Sequence, residues 1–268
     1  MEPDAAPDTR EALLARIAEL EAENRRLREG SAGPSLNARA DDFLAVVSHE
    51  LRTPIHVMMG FLSILSKGVG GPLSEQQRGY LDKALGVTEV LARLVNEILD
   101  LAQVRAGTFT IHPAPCDPLA VVRGCLEAMA PIAEQKPIAL LSDLPADLPM
   151  LRADAVRLTQ VTTNLLSNAL KFTDPGGRVT VRARAEGHAL RFEVIDTGIG
   201  ISSADQRRLF QPFTQLDMSQ TRQVGGIGIG LSICRAIVEA HGGHIGVESV
   251  LGQGSTFWFS LPLSGETP

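Results

Sequence analysis

The sequence predicts a multidomain protein of α and α/β class. An antiparallel helical hairpin that dimerises into a four-helix bundle is followed by an α/β sandwich. Three observations carry this expectation. First, an apolar repeat alternating steps of three and four (Leu44, Val47, Leu51, Pro54, Met58, Phe61, Leu65) is the seam of a bundle helix. Second, after the break Gly-Val-Gly-Gly-Pro-Leu at 68–73, another stripe runs through Leu81, Leu85, Leu91, Leu94 or Val95, Ile98 and Leu101. A single hairpin cannot cover two such stripes, so a second copy is the natural closure. Third, beyond residue 114 the texture changes to short alternating strands between helical stretches, the pattern of helices packed on one face of a mixed sheet.

The elements follow in order. Residues 1–7 read as a disordered tail. Residues 8–30 carry a short heptad, Leu13, Ile17, Leu20, Asn24 and Leu27, and Asn24 on the seam is a device for setting parallel register. Residues 31–39 are a linker whose Gly and Pro break the pattern. The hairpin occupies 40–107, with helices at about 40–67 and 74–105, and 108–113 is a second linker. The α/β domain is expected over 114–263, with a 264–268 tail. Within it the reading is a helix at 118–135, strands near 138–142 and 150–153, and one helix opened by Asp154. A strand pair at 178–185 and 190–195 comes next, then a helix at 231–240 and strands at 245–249 and 255–261.

Composition narrows the function. At 268 residues the chain holds two modest domains with real cores. No apolar run approaches the ~18 residues needed to cross a bilayer, so no membrane insertion and a cytoplasmic location are expected. The three cysteines, Cys116, Cys125 and Cys234, are scattered and odd in number, which fits a reducing compartment better than a disulfide framework. A net charge of −6, with Lys and Arg dispersed, leaves no nucleic-acid footprint.

Chemistry concentrates in a few segments. In Ser48-His49-Glu50-Leu51-Arg52-Thr53-Pro54 a nucleophilic imidazole stands beside a carboxylate. At about 100° per residue His49 lies roughly opposite the seam and faces water, with Thr53 one turn further on the same face. Downstream, Asn164, Asn168 and Lys171 share one side of the helix opened by Asp154. Asp196-Thr-Gly198-Ile-Gly200 ends a strand, and Gly225-Gly226-Ile-Gly228-Ile-Gly230 precedes an apolar helix. Glycines at a helix N-terminus let main-chain N–H groups close on phosphate oxygens. Amide oxygens together with phosphates suit Mg²⁺, a hard cation. No Gly-Lys-Ser/Thr follows the glycines, so this is not a P-loop, and no dinucleotide fingerprint fits.

Over residues 41–263 the chain resembles the sensor histidine kinases of bacterial two-component systems, with the H box, N box, first glycine box, F box and second glycine box in family order. The resemblance implies a Bergerat (GHKL) ATP-binding fold and a protein-histidine kinase using ATP and Mg²⁺. It implies that His49 takes the γ-phosphoryl group, that Glu50 orients the imidazole, and that Thr53 orients water for a phosphatase reaction on the partner regulator. It implies that Asn168 ligates Mg²⁺ with Asn164 assisting, that Lys171 reaches a phosphate, and that Phe172 covers the adenine. Asp196 would accept from the adenine amino group, Gly198 and Gly200 would let the backbone approach the base, and Gly226, Gly228 and Gly230 would cradle phosphates. Phe210 and Phe213 would pack under a lid at 214–224, in which Arg222 would contact the γ-phosphate. The expected partners are a second copy through 40–107, the receiver domain of a separate response regulator, and a separate sensor or regulatory protein.

Two departures accompany the resemblance. Ile227 replaces the usual Thr of the second glycine box, so slower nucleotide handling is expected, while Ile229 for Leu is near-isosteric. The alternative function is a degenerate, partner-regulated kinase acting as a signalling scaffold, with Ile227 as its support. A dedicated ATPase of the gyrase or chaperone type is disfavoured, because Asn164 stands where those enzymes carry a Glu base.

Overall fold

A computed structural model describes residues 51, 53–69, 71–214 and 228–263. The coiled coil, the first linker and the C-terminal tail lie outside the described residues. So do the seam positions Leu44 and Val47.

The hairpin consists of α1, helical at 51 and from 53 to 66, and α2 (Glu75–Ala106). Ser74 caps α2 reciprocally with Gln77, and Gly107 ends it in the left-handed region at φ 73°. The helix thus starts one residue later than the sequence reading, because Ser74 is more useful as a cap than as a first turn. Thr88 Oγ lies 3.7 Å from the Met58 sulfur and gives the register between the two helices. Much of both stripes is uncovered: Met58, Phe61, Leu65, Leu91 and Ile98 are all exposed. Leu101 departs from the stripe reading. It is buried in the core of the α/β domain, not in the hairpin.

The α/β domain has a five-stranded mixed sheet ordered β2-β4-β5-β7-β6. Its strands are β2 (Ala139–Asp143), β4 (Arg178–Glu186), β5 (Ala189–Asp196), β6 (His244–Val250) and β7 (Gly254–Pro262). Only β2 against β4 is parallel. A two-stranded ribbon, β1 (Ala114–Cys116) with β3 (Leu151–Ala153), stands apart from it. Three residues with a Pro at the centre carry too little alternation to announce β1 as a strand.

Period-two alternation decides the layers. Val179, Val181 and Ala183 of β4, Leu190, Phe192 and Val194 of β5, and Phe257, Phe259 and Leu261 of β7 are all buried. Phe192 and Phe259 are cross-strand partners with rings stacked at 4.7 Å. This face meets α3 (Pro118–Gln135), α4 (Ala155–Phe172) and α6 (Gly230–Ala240); a short α5 (Ser203–Gln206) lies at the edge of β6. On the other face Arg182, Arg184 and Arg191 converge on Glu193, and Arg191 stacks over Trp258 at 4.2 Å.

Candidate active site

Helix α4 carries most of the candidate nucleotide contacts, and both of its ends are anchored. Asp154 caps the N-terminus by accepting from Val156 and Arg157 N–H, and a second oxygen accepts from His112 N–H at 3.0 Å. The Asp154 N–H donates to His241 Nε2 at 2.9 Å, while His241 Nδ1 sits 2.8 Å from the Ile237 carbonyl. Burial pushes the Asp154 carboxyl up, but its three main-chain donors and Arg157 together hold it below the ordinary value. At the other end, Lys136 Nζ donates to the carbonyls of Leu170 (3.0 Å) and Lys171 (2.8 Å), placing a cation on the negative end of the helix. Neither His241 nor Lys136 was singled out in the sequence. Each reaches α4 only through tertiary packing, from 87 and about 35 residues away, and no local pattern announces such a contact.

Along α4, Asn168 Nδ2 donates to Asn164 Oδ1 at 3.1 Å, which makes the i,i+4 pair a single unit. The amide nitrogen of Asn164 lies where a Cβ on Gly230 would fall. Asn164 and the first residue of α6 are therefore in direct contact, and a side chain at 230 would have to displace the Asn164 amide. Gly228 adopts φ 76°, and a Cβ there would meet the Thr214 carbonyl at 2.6 Å. Lys171 Nζ lies 4.8 Å above the Phe172 ring, and its burial lowers the ammonium pKa.

Asp196 ends β5 and is buried. Its Oδ1 accepts from Gly198 N–H at 2.8 Å and Ser255 N–H at 3.2 Å, so both protein donors use one oxygen. Burial raises its pKa, and those two donors oppose the rise. The glycines beside it serve packing. A Cβ on Gly198 would strike the Phe172 carbonyl, and one on Gly200 (φ 66°) would strike the Val250 carbonyl. Within the protein, the close approach they permit is to neighbouring main chain. Ile199 N–H donates to the Phe172 carbonyl at 3.3 Å and seats the glycine turn on the end of α4.

Residues 39–107 match the family model of the His Kinase A (phospho-acceptor) domain, and residues 153–265 match that of histidine kinase-, DNA gyrase B- and HSP90-like ATPases. The circadian input-output histidine kinase CikA of Synechococcus elongatus is 44% identical over 228 residues, 84% of this chain and 30% of that protein. The sensor protein GacS of Pseudomonas syringae pv. syringae is 42% identical over 227 residues, 83% of this chain and 25% of its own length. The chain belongs to the sensor histidine kinases. The crystal structure of full-length ShkA in complex with AMPPNP superposes with a TM-score of 0.68 at 34% identity, covering 85% of this chain and 47% of that one. This histidine kinase sequence thus spans less than a third of the length of CikA and GacS.

In this chain Asn164, midway along α4, stands beside Gly230 at the start of α6 with Asn168 one turn on, while Asp196, Gly198 and Gly200 lie at the end of β5, Gly198 against the Phe172 carbonyl. His49, Glu50, Arg222, Gly226 and Ile227 lie outside the described residues, as does the lid beyond Thr214. Thr53 lies on α1 and is exposed. Phe210 packs against the core, whereas Phe213 is 54% exposed at φ 63°, its ring 5.6 Å from the Arg105 guanidinium. Beyond Thr214, the lid under which both were expected to pack lies outside the described residues. Among the described residues no helix is long and apolar enough to cross a membrane.

Proposed function

We propose that the chain catalyses ATP-dependent phosphorylation of His49 and passes the phosphoryl group to an aspartate of a separate response regulator. The observation that carries this reading is the contact of the Asn164–Asn168 pair with Gly230 at the start of α6. It sets amide oxygens, suited to a hard cation, beside a glycine turn and helix N-terminus suited to phosphate. The donor set fits a magnesium nucleotide: Asn168 Oδ1 would hold the metal, which when bound neutralises phosphate charge. Asp196 offers a buried carboxylate whose second oxygen takes no main-chain donor among the described residues, suited to an adenine amino group. Lys171, seven residues past Asn164 on the same side of α4, would reach a phosphate.

In the reaction a ring nitrogen of His49 attacks the γ-phosphorus, the bond to the β–γ bridging oxygen breaks, and ADP leaves. Glu50 holds the ring and accepts the hydrogen bond of its other nitrogen. Transfer to the regulator's aspartate then restores the imidazole, and Thr53 would orient the water that hydrolyses the resulting aspartyl phosphate to free phosphate. The exposed seams of α1 and α2 are covered by a second copy, giving a four-helix homodimer. The same reading keeps the division into a hairpin at 40–107 and an ATP-binding domain at 114–263.

The test is incubation with γ-labelled ATP and Mg²⁺ beside His49→Gln and Asn168→Ala. Acid-labile, base-stable label on the unmodified chain alone supports the kinase. ATP binding without any label would overturn it and favour the scaffold reading that Ile227 motivates.

A further inference from the structure

We propose that Asp100, although it belongs to the hairpin, is a positioning residue for the nucleotide-binding domain. Its carboxylate pins α4 to the last turns of α2, so the orientation of the hairpin sets that of Asn164 and Asn168. The inference rests on the kinase reading above.

Asp100 is only 7% exposed, on a helix whose Glu75, Asp82 and Glu89 face solvent. A buried carboxylate persists where donors compensate it. Both donors come from α4: Arg157 Nη1 at 2.8 Å and Gln160 Nε2 at 2.9 Å, each on Oδ2. Arg157 also donates to Gln160 Oε1 at 2.8 Å, which closes the cluster. Gln160 and Arg157 stand one and two turns before Asn164 on the same helix, and a packed helix transmits rotation along its length.

The surroundings make this joint rigid. Leu101, next to Asp100, is buried in the α/β core. Phe109 in the linker lies 4.9 Å from the Arg157 guanidinium, and His112 N–H donates to Asp154. One turn before Asp100, Glu97 is half-buried and close enough to Cys234 of α6 to act on its thiol. The end of α2 and the linker therefore move with the ATP-binding domain, and any flexure between the domains falls upstream of them.

The joint also has a direction. The Met58–Thr88 contact and the equal rise of two antiparallel helices place Leu51, seven residues back along α1, level with residue 95 on α2. The pinned turn thus lies toward the end of the hairpin where Leu51 sits, two residues after His49 in the chain. A joint at that end governs how the α4–α6 face is presented to the phosphoacceptor segment. It does not govern how tightly nucleotide is held.

The test compares the full chain with Asp100→Asn, Asp100→Glu and Arg157→Gln, measuring autophosphorylation kcat and KM for ATP, fluorescent-ADP affinity, Tm and amide exchange in α4. Asp100→Asn and Arg157→Gln should lower kcat about tenfold while KM and ADP affinity stay within about twofold, and Asp100→Glu should keep most of the rate. A KM rising in step with the loss, or a Tm too low for the assay temperature, would reduce Asp100 to a structural tie. An unchanged or increased kcat would overturn the proposal outright. If the unmodified chain binds ADP yet never labels, the kinase reading fails on its own. The joint is then judged by exchange: faster exchange at the Arg157–Gln160 turn in Asp100→Asn upholds it, and equal protection sinks it.

Discussion

Asn168 donates to Asn164 through its side-chain amide at 3.1 Å, and Asn164 in turn packs against the α-carbon of Gly230. The two asparagines therefore do different work. Asn164 is committed to its neighbours, while the Oδ1 of Asn168 is the oxygen left for a cation. Asn168→Ala should abolish the strengthening of ATP binding by Mg²⁺. Asn164→Ala should weaken Mg·ATP binding by about tenfold yet keep the metal dependence, as expected of an outer-shell partner. Calorimetric titration of ATP with and without Mg²⁺ separates the two, and equal effects would refute the division.

Asp196→Asn separates affinity from stability. The native carboxylate has its pKa raised by burial, so its contribution to stability is full below the unfolded-state pKa and lost as pH rises through the folded value. At neutral pH it is therefore a stability cost. An Asn keeps an acceptor for the Gly198 and Ser255 N–H groups without a buried charge. Tm at pH 7 should hold or rise, while adenine-nucleotide affinity falls by about tenfold through loss of a charged acceptor. A drop in Tm would show that the carboxylate is needed for folding.

Gly230→Ala drives a methyl into the Asn164 amide. Overpacking of this kind costs about 1–3 kcal/mol, visible in urea unfolding, and should weaken nucleotide binding too. Because the two side chains share one space, Asn164→Ala with Gly230→Ala should recover part of the stability lost in the single Gly230 variant. Strict additivity would mean that the clash is relieved elsewhere.

Asp154→Ala removes the cap of α4 and the acceptor of His112 N–H, a loss of about 1–2 kcal/mol at neutral pH. The Asp154 pKa is lowered in the folded chain, so its stabilisation is present above the unfolded-state value and disappears as pH falls through the folded one. Urea melts of the two proteins should differ at pH 7 and converge as the pH drops through the acid range. A constant gap would assign the effect to packing alone.

The legible parts were those written in local pattern. The stretch from Asp154 to Thr173 reads as one helix, and 178–185 and 190–195 read as a strand pair, matching α4, β4 and β5. The spacing of Asn164, Asn168 and Lys171 puts them on one side of a helix. The illegible parts were contacts between distant segments. Leu101 belongs by period to the hairpin stripe, yet the α/β core claims it, because helix periodicity says which face is apolar and not what covers it. The 5.6 Å approach of the Arg105 guanidinium to the Phe213 ring likewise joins segments that no local pattern links.

By itself the sequence determined the class of the protein and the inventory of its chemistry: a bundle hairpin, a mixed-sheet sandwich, asparagines on a helix and glycines ahead of another. Those follow from propensity and periodicity, which act over a few residues. Tertiary structure alone decided that Asp100 of the hairpin meets Arg157 and Gln160, that Lys136 closes the end of α4, and that Gly198 and Gly200 make room for main chain. Such pairings depend on how the layers pack, because a buried charge or carbonyl takes whatever donor the close-packed fold brings to it.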